Sequence, residues 1–525
     1  MMNYEKNKPE SIGGIQKMKK KKMLALLLSL AMTSSLAACG GGSKSEESSS
    51  KGEGSSDKPE SITIMVDGTV FTKENGQEQF ISKLKELTGI DIKVIQPDHS
   101  AYYDVVGQTL ASGDWPDVMI LGSTYYTGYA SEGVLWDMSE AYENSELKGR
   151  IENQEQIDSL RVDGSLYGIS PARGNGCVTY VKKAWLDNLG LDVPTTYEEY
   201  LEMCRAFTTG DPDGNGVDGD TYAVSAAGLV GTEAPYTNYL PEFYQDANPS
   251  FYKDADGVWH DGFTEQSMVD ALGRLRDAYA EGLIDKETLT NGTSDCRNKF
   301  YEDKFGVFTY WAGTWATNLK TNLEANGRDG ELVAIPPIAE LGSYIERVAP
   351  CWCITEACEN PEGVFKYFIE PMLDGGDVEF LWTYGVEDVH WSTKAEEVCG
   401  KTYEEGEFHM LESMEKEGTQ YTKAHIDPSL ALVPLTSSTI PDPQEKAMGE
   451  EAKSSAEIFN NNSHIADLLV STNEMSQYNG DLMTLKSEII AKVIIGELTV
   501  EDGMKKFEED RGAEWSKAIV DSLNK

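Results

Sequence analysis

The sequence predicts an α/β fold built on a parallel sheet. Between residues 61 and 121, stretches typical of strands alternate with stretches typical of helices. Such alternation indicates parallel strands with helices packed on the faces of the sheet. The chain has 525 residues, which is long enough for two or three domains with a sizeable core. Its 10 Trp and 25 Tyr residues exclude a chain that is disordered throughout.

The alternation begins with an apolar, β-rich run over residues 61–66, which predicts a strand. Apolar residues at helical spacing then predict a helix over 77–87, and Gly89 ends it. An alternating run over 90–95 predicts the next strand. The same patterns predict a helix over 102–110, strands over 116–121, 306–310 and 332–336, and helices over 361–372, 482–495 and 500–509.

The start of the chain is typical of a secretory signal. Four Lys at 19–22 precede an apolar run, and Leu-Ala-Ala precedes Cys39. Residues 23–38 are too few for a comfortable bilayer span, so a signal peptide over 1–38 is favoured over an anchor helix. Leu-Ala-Ala-Cys resembles a bacterial lipobox, which implies cleavage before Cys39 and a diacylglyceryl group on its sulfur. Two acyl chains on one residue give stable membrane anchoring.

The composition after the signal predicts a tether and an acidic protein. Residues 39–60 are rich in Gly, Ser and charged side chains, which is typical of a flexible tether. The whole chain has 45 basic and 89 acidic residues, a net charge of -44. Binding to nucleic acid is disfavoured because nothing offsets the repulsion from phosphate. An acidic chain leaves open an attraction to cations such as calcium.

Enzymatic activity has no positive support in the sequence. It lacks the Gly-Xaa-Ser-Xaa-Gly, Walker and His-Glu-Xaa-Xaa-His motifs. None of the six His forms a pair at metal-ligand spacing, and carboxylates are too numerous for chance pairs to indicate a glycosidase. Seven Cys follow Cys39, and this odd number favours buried thiols, with a single disulfide left open. They are Cys177, Cys204, Cys296, Cys351, Cys353, Cys358 and Cys399.

The strongest local motif lies at residues 211–220. Oxygen donors at its positions 1, 3 and 5 with Gly at position 6 match the start of a calcium-binding loop. A turn-rich acidic loop without metal is the alternative, because Asp-Gly and Asn-Gly pairs form turns anyway. Position 12 is Tyr222 rather than Glu, so Asp218 or Asp220 must complete the shell. The predicted structural calcium site consists of Asp211, Asp213, Asn215, the backbone carbonyl of Val217, and Asp220.

Aromatic residues cluster after several predicted strands. Such a ring can pack on the C–H face of a sugar, whereas ordinary core packing is the alternative for any single ring. Clusters after strands are the better candidates, because ligands of open α/β sheets bind beyond the carboxyl ends of strands. The aromatic residues predicted to contact a ligand are Trp115, Tyr125, Trp311, Trp315, Trp382, Tyr384 and Trp391.

Several motifs resemble those of bacterial extracellular solute-binding lipoproteins. The resemblance is to solute-binding family 1, the LplA/LipO-like lipoproteins that capture substrate for carbohydrate ABC importers. Its motifs follow in the family's order along the mature chain. They are the lipobox ending at Cys39, and residues 111–117, 166–171, 184–191, 193–197, 211–216, 384–391 and 494–498.

The resemblance implies a type II periplasmic-binding-protein fold, with two lobes that close by a hinge motion around a ligand. Lobe one is predicted over 61–172 and 345–395, and lobe two over 173–344 and 396–525. The resemblance implies a binding protein and not an enzyme. Its implied partners are a sugar or oligosaccharide, the permease subunits of an ABC transporter, and the membrane, to whose extracytoplasmic face the lipid anchors it.

Polar contacts to the ligand follow from the same resemblance. Asp114, Arg173 and Glu387 lie within or beside family-like motifs. Arg173 follows the predicted crossing between the lobes, where its guanidinium can fork onto sugar hydroxyls or a uronate carboxylate. Two alternatives stay open: a peptide-binding or sensor lipoprotein of the same fold, and a secreted polysaccharide-active enzyme, which needs two positioned carboxylates.

Overall fold

Two four-stranded sheets, each covered by helices, organise the protein. The computed structural model describes residues 57–67, 72–73, 75–98, 101–229, 240–245, 247–412, 426–436 and 449–525. The signal peptide, Cys39 and most of the tether lie outside the described residues. Within them, no helix is both long and apolar enough to cross a bilayer.

The strands of the described residues are short and mostly buried. They are β1 (Ser61–Met65), β2 (Asp91–Ile95), β3 (Val118–Leu121), β4 (Arg161–Val162), β5 (Ser165–Leu166), β6 (Cys177–Lys182), β7 (Tyr222–Val224), β8 (Phe251–Lys253), β9 (Trp259–Asp261), β10 (Phe305–Trp311), β11 (Leu332–Ile335), β12 (Tyr344–Glu346), β13 (Cys351–Ile354), β14 (Trp391–Ser392), β15 (Glu396–Val398), β16 (Lys401–Tyr403), β17 (His409–Met410) and β18 (Ser463–Ile465).

The α-helices cover the sheets and form the C-terminal region. They are α1 (Gln77–Thr88), α2 (Tyr102–Ser112), α3 (Ser123–Ser131), α4 (Ser139–Asn144), α5 (Leu147–Arg150), α6 (Glu155–Asp158), α7 (Lys183–Leu189), α8 (Tyr197–Thr209), α9 (Gln266–Glu281), α10 (Thr293–Tyr301), α11 (Trp315–Ala325), α12 (Pro361–Val364), α13 (Asp377–Tyr384), α14 (Glu450–Asn462), α15 (Asn473–Ile494), α16 (Val500–Glu509) and α17 (Gly512–Leu523).

The first sheet has the strand order β13-β3-β1-β2. Strands β1, β2 and β3 are parallel, as the β-α-β-α-β pattern predicts, and β13 returns antiparallel to β3. The second sheet has the order β11-β6-β10-β7, in which β10 runs antiparallel to β6 and parallel to β7. The predicted α/β class is therefore confirmed, and it is built on two four-stranded sheets.

Each sheet has its own hydrophobic core. The first core contains β1, β3 and β13 together with residues of 364–382, Ile426 and Val433. The second sheet packs on one face against α8, α9 and α15 and on the other against α10 and α11. Six Cys are buried free thiols and Cys399 is exposed, so the prediction of buried thiols holds for six of seven.

One predicted helix differs in form. The segment predicted over 361–372 begins as α12, continues as a π-helical turn at Phe365–Ile369, and ends as a 3₁₀ turn at Glu370–Leu373. Pro371 explains the ending, because proline has no N–H to donate to the preceding turn. The remaining predicted strands and helices lie within two residues of observed ones, except that α15 begins earlier, at Asn473.

Candidate functional site

Two segments of the chain cross between the sheets at one edge of each. Residues 170–176 lead into β6, whose Cys177 lies opposite Trp311 at the carboxyl end of β10. Residues 347–350 lead into β13, whose Cys351 lies opposite Leu121 at the carboxyl end of β3. Both crossings therefore join the sheets at the carboxyl edges of their central strands, where ligands of open α/β sheets bind.

The two crossings contact each other directly. The backbone N–H of Arg347 donates to the carbonyl of Asn175 at 3.0 Å, and its Nε donates to the carbonyl of Gly174 at 2.6 Å. A Cβ atom on Gly174 would lie 1.5 Å from the carbonyl oxygen of Arg347. Only glycine therefore permits this approach of the two backbones.

Glu346 ties the crossings together through one buried carboxylate. Its side chain is fully buried and forms an ion pair with Arg173. Oε1 accepts hydrogen bonds from the backbone N–H of Gly174 and from Nε2 of Gln156, both at 3.0 Å. Oε2 accepts from Nε of Arg173 at 2.9 Å and from its Nη2. Charge-assisted bonds of this kind are the stronger class of hydrogen bond, so Glu346 holds the two crossings together.

A third segment, residues 426–432, lies beside the first crossing. The N–H of Arg173 donates to the carbonyl of Leu430, and the N–H of Leu432 donates to the carbonyl of Pro171. Asp427 of this segment reaches the second sheet, because its Oδ2 accepts a hydrogen bond from Thr314 at 2.7 Å. This segment therefore contacts both halves of the molecule.

Trp311 and Trp315, two rings predicted to contact a ligand, lie near this edge. Both rings are partly exposed. The guanidinium of Arg347 lies 4.7 Å from the centre of the Trp311 ring, so it covers part of one face. Trp315 packs edge-on against Tyr310 at 5.2 Å. Trp311 belongs to the edge that the crossings define, and Trp315 begins the helix that follows it.

A tyrosine platform lies at the corresponding edge of the first sheet. Tyr103 and Tyr125 stack face to face with ring centres 3.7 Å apart, and Tyr129 lies 6.3 Å from Tyr125. The hydroxyl of Tyr103 accepts a hydrogen bond from the N–H of Gly122, which immediately follows β3. Tyr125 is 40% exposed. The sequence predicts Tyr125 as a ligand contact but does not predict Tyr103. The signal available for Tyr103 is its position in the first turn of α2, the helix that follows β2.

Two predicted ligand residues lie at the opposite edge. Asp114 and Trp115 precede β3, so they lie at its amino end, away from the crossings. The indole N–H of Trp115 donates to the carbonyl of Leu110, and Asp114 accepts from Ser112. These contacts serve the turn between α2 and β3, and we leave both residues out of the proposed binding surface.

Three further predicted aromatic residues are buried. Trp382 packs edge-on against Phe80 and Trp352, at 4.9 and 5.4 Å between ring centres. Tyr384 and Trp391 both pack against Phe408. Because all three side chains are buried among other rings, these residues contribute to the core, and we leave them out of the binding surface as well. Their neighbour Glu387 is exposed.

Arg173 lies in the first crossing segment, and its guanidinium is occupied. Its Nε and Nη2 both donate to Glu346, and Nη2 also contacts the hydroxyl of Ser463 at 3.4 Å. Its side chain is only 16% exposed. Arg173 therefore positions the crossing segments in this structure, a role that the sequence pattern does not reveal.

The predicted calcium loop gathers its oxygen donors around Asn215. The side-chain nitrogen Nδ2 of Asn215 donates to Asp213 and to Asp220, each at 2.9 Å. Asp211 accepts from the N–H groups of Asn215 and Gly216. Burial, together with the nearby charge of Asp220, raises the pKa of Asp213.

The side chain of Asn215 occupies the place between carboxylates where a cation would bind. No three acidic, His or Cys side chains of the described residues are grouped closely enough to count as a formed metal centre. The Asn215 amide instead lies between two carboxylates, in a position where a cation would relieve their repulsion. The donor set is all oxygen, as calcium prefers. The residues therefore suit calcium once the side-chain amide of Asn215 rotates, so that its oxygen and not its nitrogen faces the cation.

Two α/β lobes joined by crossing segments at the carboxyl edges of their central strands define the two-lobed fold of the periplasmic type II class of binding proteins. The family model described as bacterial extracellular solute-binding protein matches residues 69–368. The chain belongs to this family.

Two named relatives and one solved structure are similar to this chain. Lipoprotein LipO of Bacillus subtilis is 27% identical over 275 residues, covering 51% of this chain and 54% of LipO. The polygalacturonan/rhamnogalacturonan-binding protein YtcQ of the same organism is 23% identical over 489 residues, covering 88% and 90%.

The solved structure is the ABC-transporter substrate-binding protein FusA of Streptococcus pneumoniae, an EF-hand mutant in complex with fructo-nystose. It matches with a TM-score of 0.58 and 16% identity, covering 89% of this chain and 99% of FusA. At this identity the likeness concerns the fold.

Proposed function

We propose that the protein captures a sugar or oligosaccharide between its lobes and delivers it to the permease subunits of an ABC transporter. The observation that carries this proposal is the joined carboxyl edge, which presents Trp311 and Trp315 from the second sheet and the tyrosine platform (Tyr103, Tyr125, Tyr129) from the first. Aromatic faces suit the C–H faces of sugars. The carbohydrate named for YtcQ and the one bound to FusA support the same class of ligand.

We propose that the two lobes move as separate bodies, each built on one four-stranded sheet and its core. We propose lobe one at about 61–172 and 345–395, and lobe two as the rest, with one adjustment. Residues 426–433 join lobe one, because Ile426 and Val433 are buried in the first core.

A ligand screen tests this function. We expect at least one mono- or oligosaccharide to raise the melting temperature, since a ligand at a hundred times its Kd adds about 2.7 kcal/mol of stability. Calorimetry with that sugar should show about five-fold weaker binding for Trp311→Ala, because a stacked ring contributes on the order of 1 kcal/mol. Trp115→Ala, at the opposite edge, is the matched control and should bind like the wild type. Binding of peptides but of no carbohydrate would contradict the proposal.

We also propose that Cys39 carries a lipid that anchors the protein to the extracytoplasmic face of the membrane. The lipobox-like Leu-Ala-Ala-Cys39 and the LipO relative support this anchor. Cys39→Ala should abolish incorporation of labelled fatty acid and should leave either unprocessed precursor or unlipidated protein. Cys399→Ala is the control, since that exposed thiol lies in the globular part. Labelling of the Cys39→Ala protein at the wild-type level would disprove the assignment.

The loop at residues 211–220 is the proposed calcium site. Asp211, Asp213, Asn215 and Asp220 would supply side-chain oxygens, and Val217 a backbone carbonyl. Bound calcium would hold the connection between α8 and β7. We expect a chelator to lower the melting temperature, and Asp213→Ala to remove that response. Asp256→Ala, in an exposed turn, should respond like the wild type. Unchanged melting of wild type with chelator, together with no calcium by elemental analysis, would exclude the site.

A further inference from the structure

We infer that Arg347 is a positioning residue for the ligand, because its guanidinium holds the ring of Trp311 in the orientation on which the sugar packs. This inference rests on the proposed function and deepens it by naming the residue that prepares the aromatic surface. Arg347 acts through the ring and needs no contact of its own with the sugar. It thereby connects a ligand-binding ring to a segment that joins the lobes.

The main chain at the end of β10 is attached to the first crossing. The N–H of Ala312 donates to the carbonyl of Gly176 at 2.9 Å, and the side-chain nitrogen of Asn175 donates to the carbonyl of Ala312 at 3.3 Å. The carbonyl of Trp311 accepts a hydrogen bond from the hydroxyl of Tyr180 at 2.8 Å. The main chain of Trp311 is therefore fixed, and the freedom that remains is rotation of the indole about its side-chain torsions.

Arg347 restricts that rotation from the second crossing. Its Cζ lies over the ring of Trp311, 4.7 Å from the ring centre. Arg347 is itself fixed, because its backbone N–H donates to the carbonyl of Asn175 at 3.0 Å and its Nε donates to that of Gly174 at 2.6 Å. A planar cation on the face of an indole is held there by the electrostatics of the ring. Rotation of the ring would break this contact, so the contact favours one orientation of Trp311.

A ring that is held in place before the ligand arrives binds it more tightly. Trp311 stays partly exposed with Arg347 against it, so part of the residue remains accessible to a sugar. Ordering a mobile side chain at the moment of binding costs free energy, and a side chain ordered in advance avoids that cost. Arg347 therefore raises sugar affinity by pre-organising the indole.

Trp315, the other tryptophan near this edge, is held within its own lobe. The guanidinium of Arg297, from α10, lies 5.6 Å from the centre of the Trp315 ring. The ring of Tyr310, from β10, packs edge-on at 5.2 Å. Arg347 instead comes from the segment that leads into β13 of the first sheet. Of the two tryptophans, Trp311 is the one whose cation is supplied by a crossing.

Two substitutions separate the cation from the hinge contact. Arg347→Gln places an amide nitrogen where Nε was, so the donor to Gly174 is kept and the charge over Trp311 is lost. Arg347→Lys places an ammonium where Cζ was, so the charge is kept and the Nε donor is lost. We expect Arg347→Gln to weaken sugar binding about two- to five-fold, as loss of a partly exposed cation–π contact predicts, and Arg347→Lys to weaken it less. Arg511→Gln is the matched control, since its guanidinium lies 5.4 Å from the Trp515 ring near the C-terminus, and it should bind like the wild type.

A double-mutant cycle shows whether Arg347 acts through the ring. Calorimetry would use the tightest-binding member of a panel of fructo-, gluco- and galacto-oligosaccharides and oligogalacturonides, with urea unfolding of each variant to verify its fold. In a Trp311→Ala background, Arg347→Gln should have no further effect on affinity, because the ring on which it acts is missing.

Three results would overturn the inference while leaving carbohydrate capture intact. Equal losses from Arg347→Gln with and without Trp311 would show that Arg347 acts independently of the ring. A larger loss for Arg347→Lys than for Arg347→Gln would assign Arg347 to the hinge contact. Wild-type affinity of Arg347→Gln would exclude any role in binding. Absence of binding of every carbohydrate to the wild type would instead refute the proposed function, and the inference with it.

Discussion

Replacing Lys486 by Met is expected to lower the free energy of unfolding by about 3–5 kcal/mol, the usual cost of removing one partner from a buried ion pair. Lys486 is fully buried on α15, and its ammonium donates to Asp261 at 2.6 Å and to the carbonyl of Pro249 at 2.9 Å. Burial lowers its pKa, whereas the charge of Asp261 opposes that change. The substitution would leave the Asp261 carboxylate buried without its counter-charge.

The measurement is urea unfolding followed by circular dichroism, with a second variant to separate charge from packing. Lys486→Met combined with Asp261→Asn should recover part of the loss, because no uncompensated charge remains. The amide oxygen of the second substitution can still accept the N–H of Phe263, the capping contact that Asp261 makes. The exposed pair of Lys517 and Asp521 provides the control, since Lys517→Met should change stability by less than about 1 kcal/mol. Equal effects of the two Lys→Met substitutions would contradict the expectation.

Replacing Glu346 by Gln is the second substitution with a large expected effect. Gln has nearly the same shape, but its amide would direct a donor toward Arg173 or toward the N–H of Gly174. We expect the unfolding free energy to fall by about 3 kcal/mol, in the range for a disrupted buried ion pair. We also expect Glu346→Gln to weaken sugar binding more than a surface substitution does, because the crossings that set the closed geometry would loosen.

Calorimetry and urea unfolding on the same preparation separate the two effects. Glu356→Gln is the matched control, since Glu356 is exposed and follows β13 by two residues. A Glu346→Gln protein that is destabilised but binds sugar like the wild type would assign Glu346 to stability alone. Full stability together with unchanged affinity would disprove its hinge role.

Local patterns predict the elements of this fold well but predict its contacts less well. Helix α1 and strands β1 to β3 follow from apolar spacing, which depends only on neighbouring residues. The pairing of β13 with β3 depends on residues far apart in sequence, and no spacing rule contains it. The two-lobed arrangement accordingly follows from family resemblance and not from periodicity.

Single residues of the candidate site are also hard to predict when their role depends on long-range contacts. Trp115 and Trp311 look alike in sequence, since each lies beside a strand. Trp115 precedes β3, whereas Trp311 ends β10, and only the second position lies at a carboxyl edge. The sequence predicts Arg173 as a ligand contact from its place beside a family-like motif. It does not reveal the ion pair with Glu346, because Glu346 is distant along the chain. The tyrosine platform depends equally on a tertiary contact, the stacking of Tyr103 on Tyr125.

The pairing of β13 with β3 also determines when an exported chain can finish its first core. Leu121 and Cys351 are partners across the sheet but lie far apart in sequence, so β3 keeps one edge unpaired until the later segment is in place. An unpaired apolar strand is a template for aggregation. We therefore expect the unfinished chain to depend on chaperones until β13 pairs, however stable the finished molecule is.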